Sequence, residues 1–146
     1  MRYLALDVGD RWIGVALSDP SGGIASPLIV IKRVDDAAVM KDISRIVNEN
    51  EVGRIIVGLP RMLDGSIGIQ AEKVQAFTWQ LKKATEAEIE FRDEWLTTVA
   101  AKHIMHINGP ASKKKRRKDG VKKTDRQRDD AIAAAVLLQN FLDENR

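Results

Sequence analysis

The stretch Tyr3-Leu-Ala-Leu-Asp-Val-Gly-Asp-Arg-Trp12 decides the fold, because it sets one acid inside an apolar strand. Leu4, Leu6 and Val8 alternate with Tyr3, Ala5 and Asp7, which is the two-residue period of a strand. Gly9 breaks the run, and a second apolar segment, Trp12 to Leu17, follows directly. The pattern predicts a β-hairpin, with Gly9 in a turn that needs a positive φ. Asp is depleted in strands and costly to bury without a partner. Asp7 should therefore meet a cation, a hydrogen-bond network or a metal; the plainer alternative is a carboxylate that accepts backbone N–H groups of the turn.

Working outward, Pro20-Ser21-Gly22-Gly23 is a turn cluster, and Ile24 to Ile31 reads as a third strand. Asp35 or Asp36 can cap a helix whose apolar face is Val39, Ile43, Ile46 and Val47, closed by Gly53. Arg54 to Leu59 is a continuous apolar run, the mark of a strand covered on both faces, and Pro60 should end it. A turn-rich loop with Asp64-Gly65-Ser66 leads to a helix from about Gln70 to Ala84, with Ala71, Val74, Phe77 (or Thr78) and Leu81 on one side. Glu88 to Asp93 alternates as a strand. Thr97 or Thr98 can cap a further helix carrying Val99, His103, Ile104 and Ile107, stopped by Asn108-Gly109-Pro110. The last helix should run from about Arg128 to Leu142. This order predicts an α/β fold. Its five-stranded mixed sheet opens with a three-strand antiparallel meander, continues through helix–strand crossovers that place strand 54–59 parallel to its neighbour, and is flanked by helices. One domain over residues 1–146 is expected, with a flexible basic loop at about 109–126.

Composition narrows the chemistry. There is no cysteine, which removes disulfides, thiolate metal sites and cysteine nucleophiles. No apolar run approaches the ~20 residues needed to span a bilayer, and no signal pattern opens the chain, so a cytoplasmic protein is expected. Net charge is +3, but it is unevenly spread. Residues 113–128 hold ten Lys and Arg against Asp119 and Asp125, a local +8, while the remainder has 14 basic and 19 acidic residues. A mildly acidic body with one dense basic segment suits a polyanion such as nucleic acid. The six residues Lys113, Lys114, Lys115, Arg116, Arg117 and Lys118, with Lys122 and Lys123, are the expected phosphate contacts, binding without reading sequence. A solvated like-charge loop is the plain alternative.

Three acids fall at comparable places in three elements. Asp7 lies near the end of the first strand, Asp93 and Glu94 terminate the last strand, and Asp130 opens the final helix at its cap or one turn inside. Functional groups in such sheets gather beyond the carboxyl ends of parallel strands. Converging carboxylates repel unless they are protonated or bridged by cations. An oxygen-only set favours Mg²⁺ or Mn²⁺, and two such ions about 3.5–4 Å apart suit phosphodiester hydrolysis. Taken singly, Asp130 as a helix cap and Glu94 as a solvated acid are the bland readings; together with Asp7, the metal reading gains.

The blocks Leu4-Ala-Leu-Asp-Val-Gly9, Ile13-Gly-Val-Ala-Leu-Ser-Asp19, Ile55-Ile-Val-Gly-Leu-Pro60, Met62-Leu-Asp-Gly-Ser66, Asp93-Glu-Trp-Leu-Thr-Thr98 and Asp130-Ala-Ile-Ala-Ala134 through Leu138-Gln139 resemble the YqgF family. These are bacterial RNase-H-like proteins described as Holliday junction resolvases and as pre-16S rRNA nucleases. The resemblance covers essentially the whole chain. It implies an RNase-H-like fold and a divalent-metal-dependent endonuclease that hydrolyses phosphodiester bonds in structured nucleic acid, either pre-rRNA or branched DNA. It also implies that Asp7, the Asp93-Glu94 pair and Asp130 are the catalytic and metal-binding positions. Glu94 is preferred over Asp93, which would continue the face of Ile89 and Phe91. The chain departs from the family pattern at Trp95, where Arg is usual, and at Asp10-Arg11, where Thr-Lys is common. Trp95 exchanges a phosphate clamp for a ring that can stack on an unpaired base or simply pack at a strand end.

Other residues carry weaker signals. Gly14 suggests a close approach of the strand to a ligand or helix. The glycine pattern also resembles the phosphate-binding hairpin of sugar kinases, which need two such domains. His103 and His106 lack a nearby acid and read as packing and surface residues. A non-catalytic nucleic-acid-binding or ribosome-maturation factor is the alternative function, and either a monomer or a homodimer is compatible with the sequence.

Overall fold

The computed structural model describes residues 1–61, 68–95 and 122–145, with the backbone alone for residue 95 and residues 122–129. The strands are β1 (Arg2–Val8), β2 (Trp12–Ser18), β3 (Ala25–Lys32), β4 (Val52–Arg61) and β5 (Glu88–Trp95). The helices are α1 (Asp36–Glu49), α2 (Ile69–Ala84) and α3 (Lys122–Glu144). One five-stranded sheet runs in the order β3-β2-β1-β4-β5. The first three strands pair antiparallel, and β4 and β5 join in parallel with β1, so the mixed sheet is as expected.

Alternation along β1 sends Leu4, Leu6 and Val8 to one face, where they pack with Val39 and Ile43 of α1 and Val74, Phe77 and Leu81 of α2. Leu4, Leu6, Ile43 and Leu81 are fully buried. Each such side chain contributes about 1.5–3 kcal/mol by leaving water. Asp35 caps α1 by accepting the Ala37 N–H at 3.1 Å. The other face is built differently. Ala5, Ala16 and Ile56 of the sheet meet Ala134, Leu137, Leu138 and Phe141 of α3. Small residues on both sides let this helix come close to the sheet.

The turns and ends correct several expectations. Gly9 does not take a positive φ; among the described residues only Gly22 and Glu51 do. Gly9 is needed for space instead, because a Cβ there would stand 2.8 Å from the Trp12 carbonyl oxygen, which accepts the Gly9 N–H at 2.9 Å. Pro60 does not end β4, which continues to Arg61 opposite Trp95. Pairing with β1 stops at Val57, so at Pro60 the strand has β5 on one side only, and a missing N–H is tolerated there. The final helix begins at Lys122, not near Arg128. Its first residues are Lys, Thr, Asp, Arg and Gln, without Gly or Pro, and most of these are good helix formers despite their charge. The expected loop at 109–126 therefore overlaps a helix from Lys122 onward. The expected helix over Val99 to Ile107, the two histidines, Asp64-Gly65-Ser66 and residues 113–118 lie outside the described residues.

Candidate functional site: an acidic centre under the last helix

Asp7 shares the α3 face of β1 with Ala5. Its partner across the β1–β2 ladder is Gly14. Above Gly14 lies the backbone of α3: a Cβ on this glycine would stand 2.0 Å from the Asp130 carbonyl oxygen and 3.2 Å from the Ala131 nitrogen. Without a side chain at position 14, the helix settles onto β2 and brings Asp130 beside Asp7. Asp130 sits eight residues into α3, so it is no N-cap, and the expectation of a position at the helix start is corrected. The longer helix still delivers it, because Ala131 and Ala134 seat that turn against the sheet.

Glu94 arrives from the other side. Along β5, Arg92 reaches Glu144 of α3 through two contacts of 2.6 Å, which fixes that face toward the helix. Glu94, two residues on, shares the face, and its carboxyl group lies against Gly58 of β4 and near Leu137 of α3. Asp93 is turned to the opposite face, with its carboxylate 2.9 Å from Arg61 Nε, and stands apart from the acidic group. The side chain of Trp95 is not described.

The electrostatics register the convergence. Burial, and then repulsion from Asp130, raises the Asp7 carboxyl from its ordinary 3.8 to about 6. Burial, and then Asp7, raises Glu94 from 4.5 to about 7, with Arg92 opposing. Among the described residues no hydrogen bond to the Asp7 carboxylate offsets its burial, so turn N–H groups do not satisfy it there. Groups with these shifts want a proton or a cation. Mg²⁺ and Mn²⁺ suit the donor set, which is oxygen from carboxylates alone. Among the described residues no three such side chains already stand as a closed metal cluster. The interactions run in pairs, Asp7 with Asp130 and Asp7 with Glu94, and Asp7 is common to both.

The family profile described as "RuvX: Holliday junction resolvase" matches residues 1–144. The chain belongs to the RuvX family. Relatives in it include proteins named "Putative pre-16S rRNA nuclease" from Clostridium tetani and Dehalococcoides mccartyi. The first is 47% identical over 143 residues, covering 98% of this chain and 96% of the relative. The second is 44% identical over 137 residues, covering 94% of each. RuvX is thus a nuclease family, and the resemblance drawn from the sequence is to this same family. In fold, the chain is similar to the crystal structure of the fowlpox virus Holliday junction resolvase, with a TM-score of 0.54 at 15% identity over 99% of both chains. The RNase-H-like expectation agrees with that architecture.

Two residues of this site escaped the sequence reading. Gly58 carried a usable signal, a glycine in the interior of an apolar strand. Arg33 carried none. Its Nη1 donates to the Gly9 carbonyl at 2.8 Å while Nε and Nη2 hold Asp36 at 3.1 and 2.9 Å. Its guanidinium also lies 5.1 Å from the Phe77 ring centroid. This RuvX member thereby ties the turn behind Asp7 to both α1 and α2.

Proposed function

We propose that this protein is a divalent-metal-dependent endonuclease that hydrolyses phosphodiester bonds in structured nucleic acid, with the precursor of 16S rRNA as its first substrate. The observation that carries the reading is the pairing of Asp7 with both Asp130 and Glu94, each interaction raising a carboxyl pKa in a partly buried site. Asp7, Glu94 and Asp130 hold Mg²⁺ or Mn²⁺. Bound there, the ion supplies Lewis-acid polarisation of the phosphate and activation of water. Asp7 interacts with both of the other acids, which makes it the common member of the proposed centre. Lys113 to Lys118, with Lys122 and Lys123, contact backbone phosphates and offset the repulsion between an acidic centre and a polyanion. Lys122 and Lys123 belong to the helix that bears Asp130, which supports a shared task.

Relatives named for pre-16S rRNA at over 40% identity favour the RNA precursor, and the description of the family favours a four-way DNA junction as the second substrate. The whole chain acts as one domain in the cytoplasm. Among the described residues no helix is long and apolar enough to cross a membrane. A cleavage assay in Mg²⁺ and in Mn²⁺, offering an rRNA precursor and a junction side by side, tests this. The expected result is metal-dependent scission of the precursor, abolished in Asp7→Asn with substrate binding retained. Binding without scission by the unaltered protein under any metal would establish the non-catalytic maturation factor instead.

A further inference from the structure

The sheet order separates the first and last acid-bearing strands: β1 and β5 are not neighbours, and β4 runs between them. Leu6 pairs with Val57, so Gly58 follows at the level of Asp7. Ile56 belongs to the cluster under α3, and Gly58, two residues on, presents the same face. Along that line the sheet offers Gly14, Asp7 and Gly58, one acid between two positions without side chains. The two openings are filled by different groups. The backbone of Asp130 occupies the one over Gly14, and the carboxyl group of Glu94 occupies the one over Gly58. A Cβ at residue 58 would stand 2.8 Å from both Cδ and Oε2 of Glu94, and 3.1 Å from Cδ2 of Leu137. A contact under 3.0 Å forces a shift, and because the atoms met are the far end of the flexible Glu94 side chain, that carboxyl group would swing away from the place it now holds at small cost to the fold.

We propose that Gly58 is a positioning residue of the acidic centre: it keeps β4 bare between β1 and β5, so that Glu94 lies down across the strand and faces Asp7. The inference rests on the metal reading above for its consequence and on the packing of Glu94 over Gly58 for its geometry, and the two are tested apart. Any side chain at 58 lifts or swings the Glu94 carboxylate away from Asp7. The acid stays in the protein, but the pair no longer addresses one ion. A purely structural glycine, retained for backbone shape, predicts something else. Its loss would harm the fold equally whatever stands at residue 94, and Gly58 has no positive φ that would demand a glycine.

The test is a cycle in Gly58→Ala, Glu94→Ala and the double variant, followed by thermal and urea unfolding without metal. Gly58→Ala should lower the midpoint slightly more in the unaltered background than once Glu94 is truncated, the Leu137 contact at 3.1 Å being common to both. Equal losses in both backgrounds would overturn the proposal. In parallel, Mn²⁺ binding is read by electron paramagnetic resonance, which needs no turnover. Gly58→Ala should weaken Mn²⁺ about tenfold, the scale on which a supporting residue around a metal acts. In a Glu94→Asp background, where the shorter acid does not reach over residue 58, the same substitution should cost little. A tenfold loss in both backgrounds would remove the positioning role. Failure of the unaltered protein to bind Mn²⁺ would overturn the metal reading and the role in ion binding with it, while the unfolding cycle still decides the geometry.

Discussion

Asp7 and Gly14 are partners across the β1–β2 ladder, and the Asp130 carbonyl lies where a Gly14 side chain would be. The acid in the strand and the helix that completes its site are thus coupled through a residue with no side chain of its own. Gly14→Ala forces a choice between displacing α3 and distorting β2, since backbone atoms, not a flexible side chain, stand in the way. Overpacking typically costs about 1–3 kcal/mol, and a contact with helix backbone puts this case at the upper end. The urea midpoint should fall accordingly, and addition of Mg²⁺ should restore little of it. A Gly14→Ala protein as stable as the unaltered chain would contradict the packing described.

The raised carboxyls make stability pH-dependent in a defined sense. Asp7 titrates near 6 when folded against 3.8 ordinarily, and Glu94 near 7 against 4.5. Between roughly pH 4 and 7 the folded chain therefore binds more protons than the unfolded one, so the contribution of these groups falls as pH rises through that window. In metal-free buffer the urea midpoint should decline from pH 5 to pH 8, on the order of 3–4 kcal/mol in stability for the two groups together. Asp7→Asn should flatten the decline, because it removes one titration and the repulsion acting on Glu94. A midpoint that rises across this range would sink the account.

Removing the central charge separates catalysis from folding. Asp7→Asn keeps the shape of the side chain while discarding the charge common to both acidic pairs. Cleavage should be lost, and metal-free stability at pH 8 should increase relative to the unaltered chain. Paired cleavage and unfolding measurements check both halves, and a loss of activity accompanied by a loss of stability would point to misfolding.

Arg33 lies far from the acids in sequence, yet it clamps the turn that follows Asp7. Arg33→Gln breaks the contacts to Gly9 and Asp36 together, and charge-assisted hydrogen bonds of this kind contribute about 1.5–3 kcal/mol each at best. A combined loss of about 2 kcal/mol is expected in urea unfolding. Arg33→Lys should recover only part of it, because a compact ammonium cannot bridge both partners. Full recovery by lysine would mean that charge alone, not the forked geometry, is used.

Much of this was legible in the chain, and the exceptions have physical reasons. The alternation of Leu4, Leu6 and Val8 announced β1, and helical spacing found Val39, Ile43, Ile46 and Val47 on the buried side of α1. Parity along β5 separated Glu94 from Asp93 before any contact was visible. The start of α3 is hidden in the sequence because a basic run looks like a solvated loop, whereas Lys, Arg and Gln are also good helix formers. A glycine after a strand suggests a turn of positive φ, but residue types alone do not reveal the Trp12 carbonyl that crowds Gly9. Arg33 acts across a turn and two helices, and such contacts have no signature within a short window, whereas Gly58 stands out only as a glycine inside an apolar strand.

The close seating of α3 on Ala5, Gly14 and Ala16 also bears on the order in which the molecule can mature. All five strands and the α1–α2 cluster are built from residues that precede 122–144. Among the described residues, the cluster on the other face is completed, and Asp130 is brought beside Asp7, by that helix. If the proposed site holds, a chain without residues 122–144 would carry Asp7 and Glu94 but not the Asp130 that pairs with Asp7.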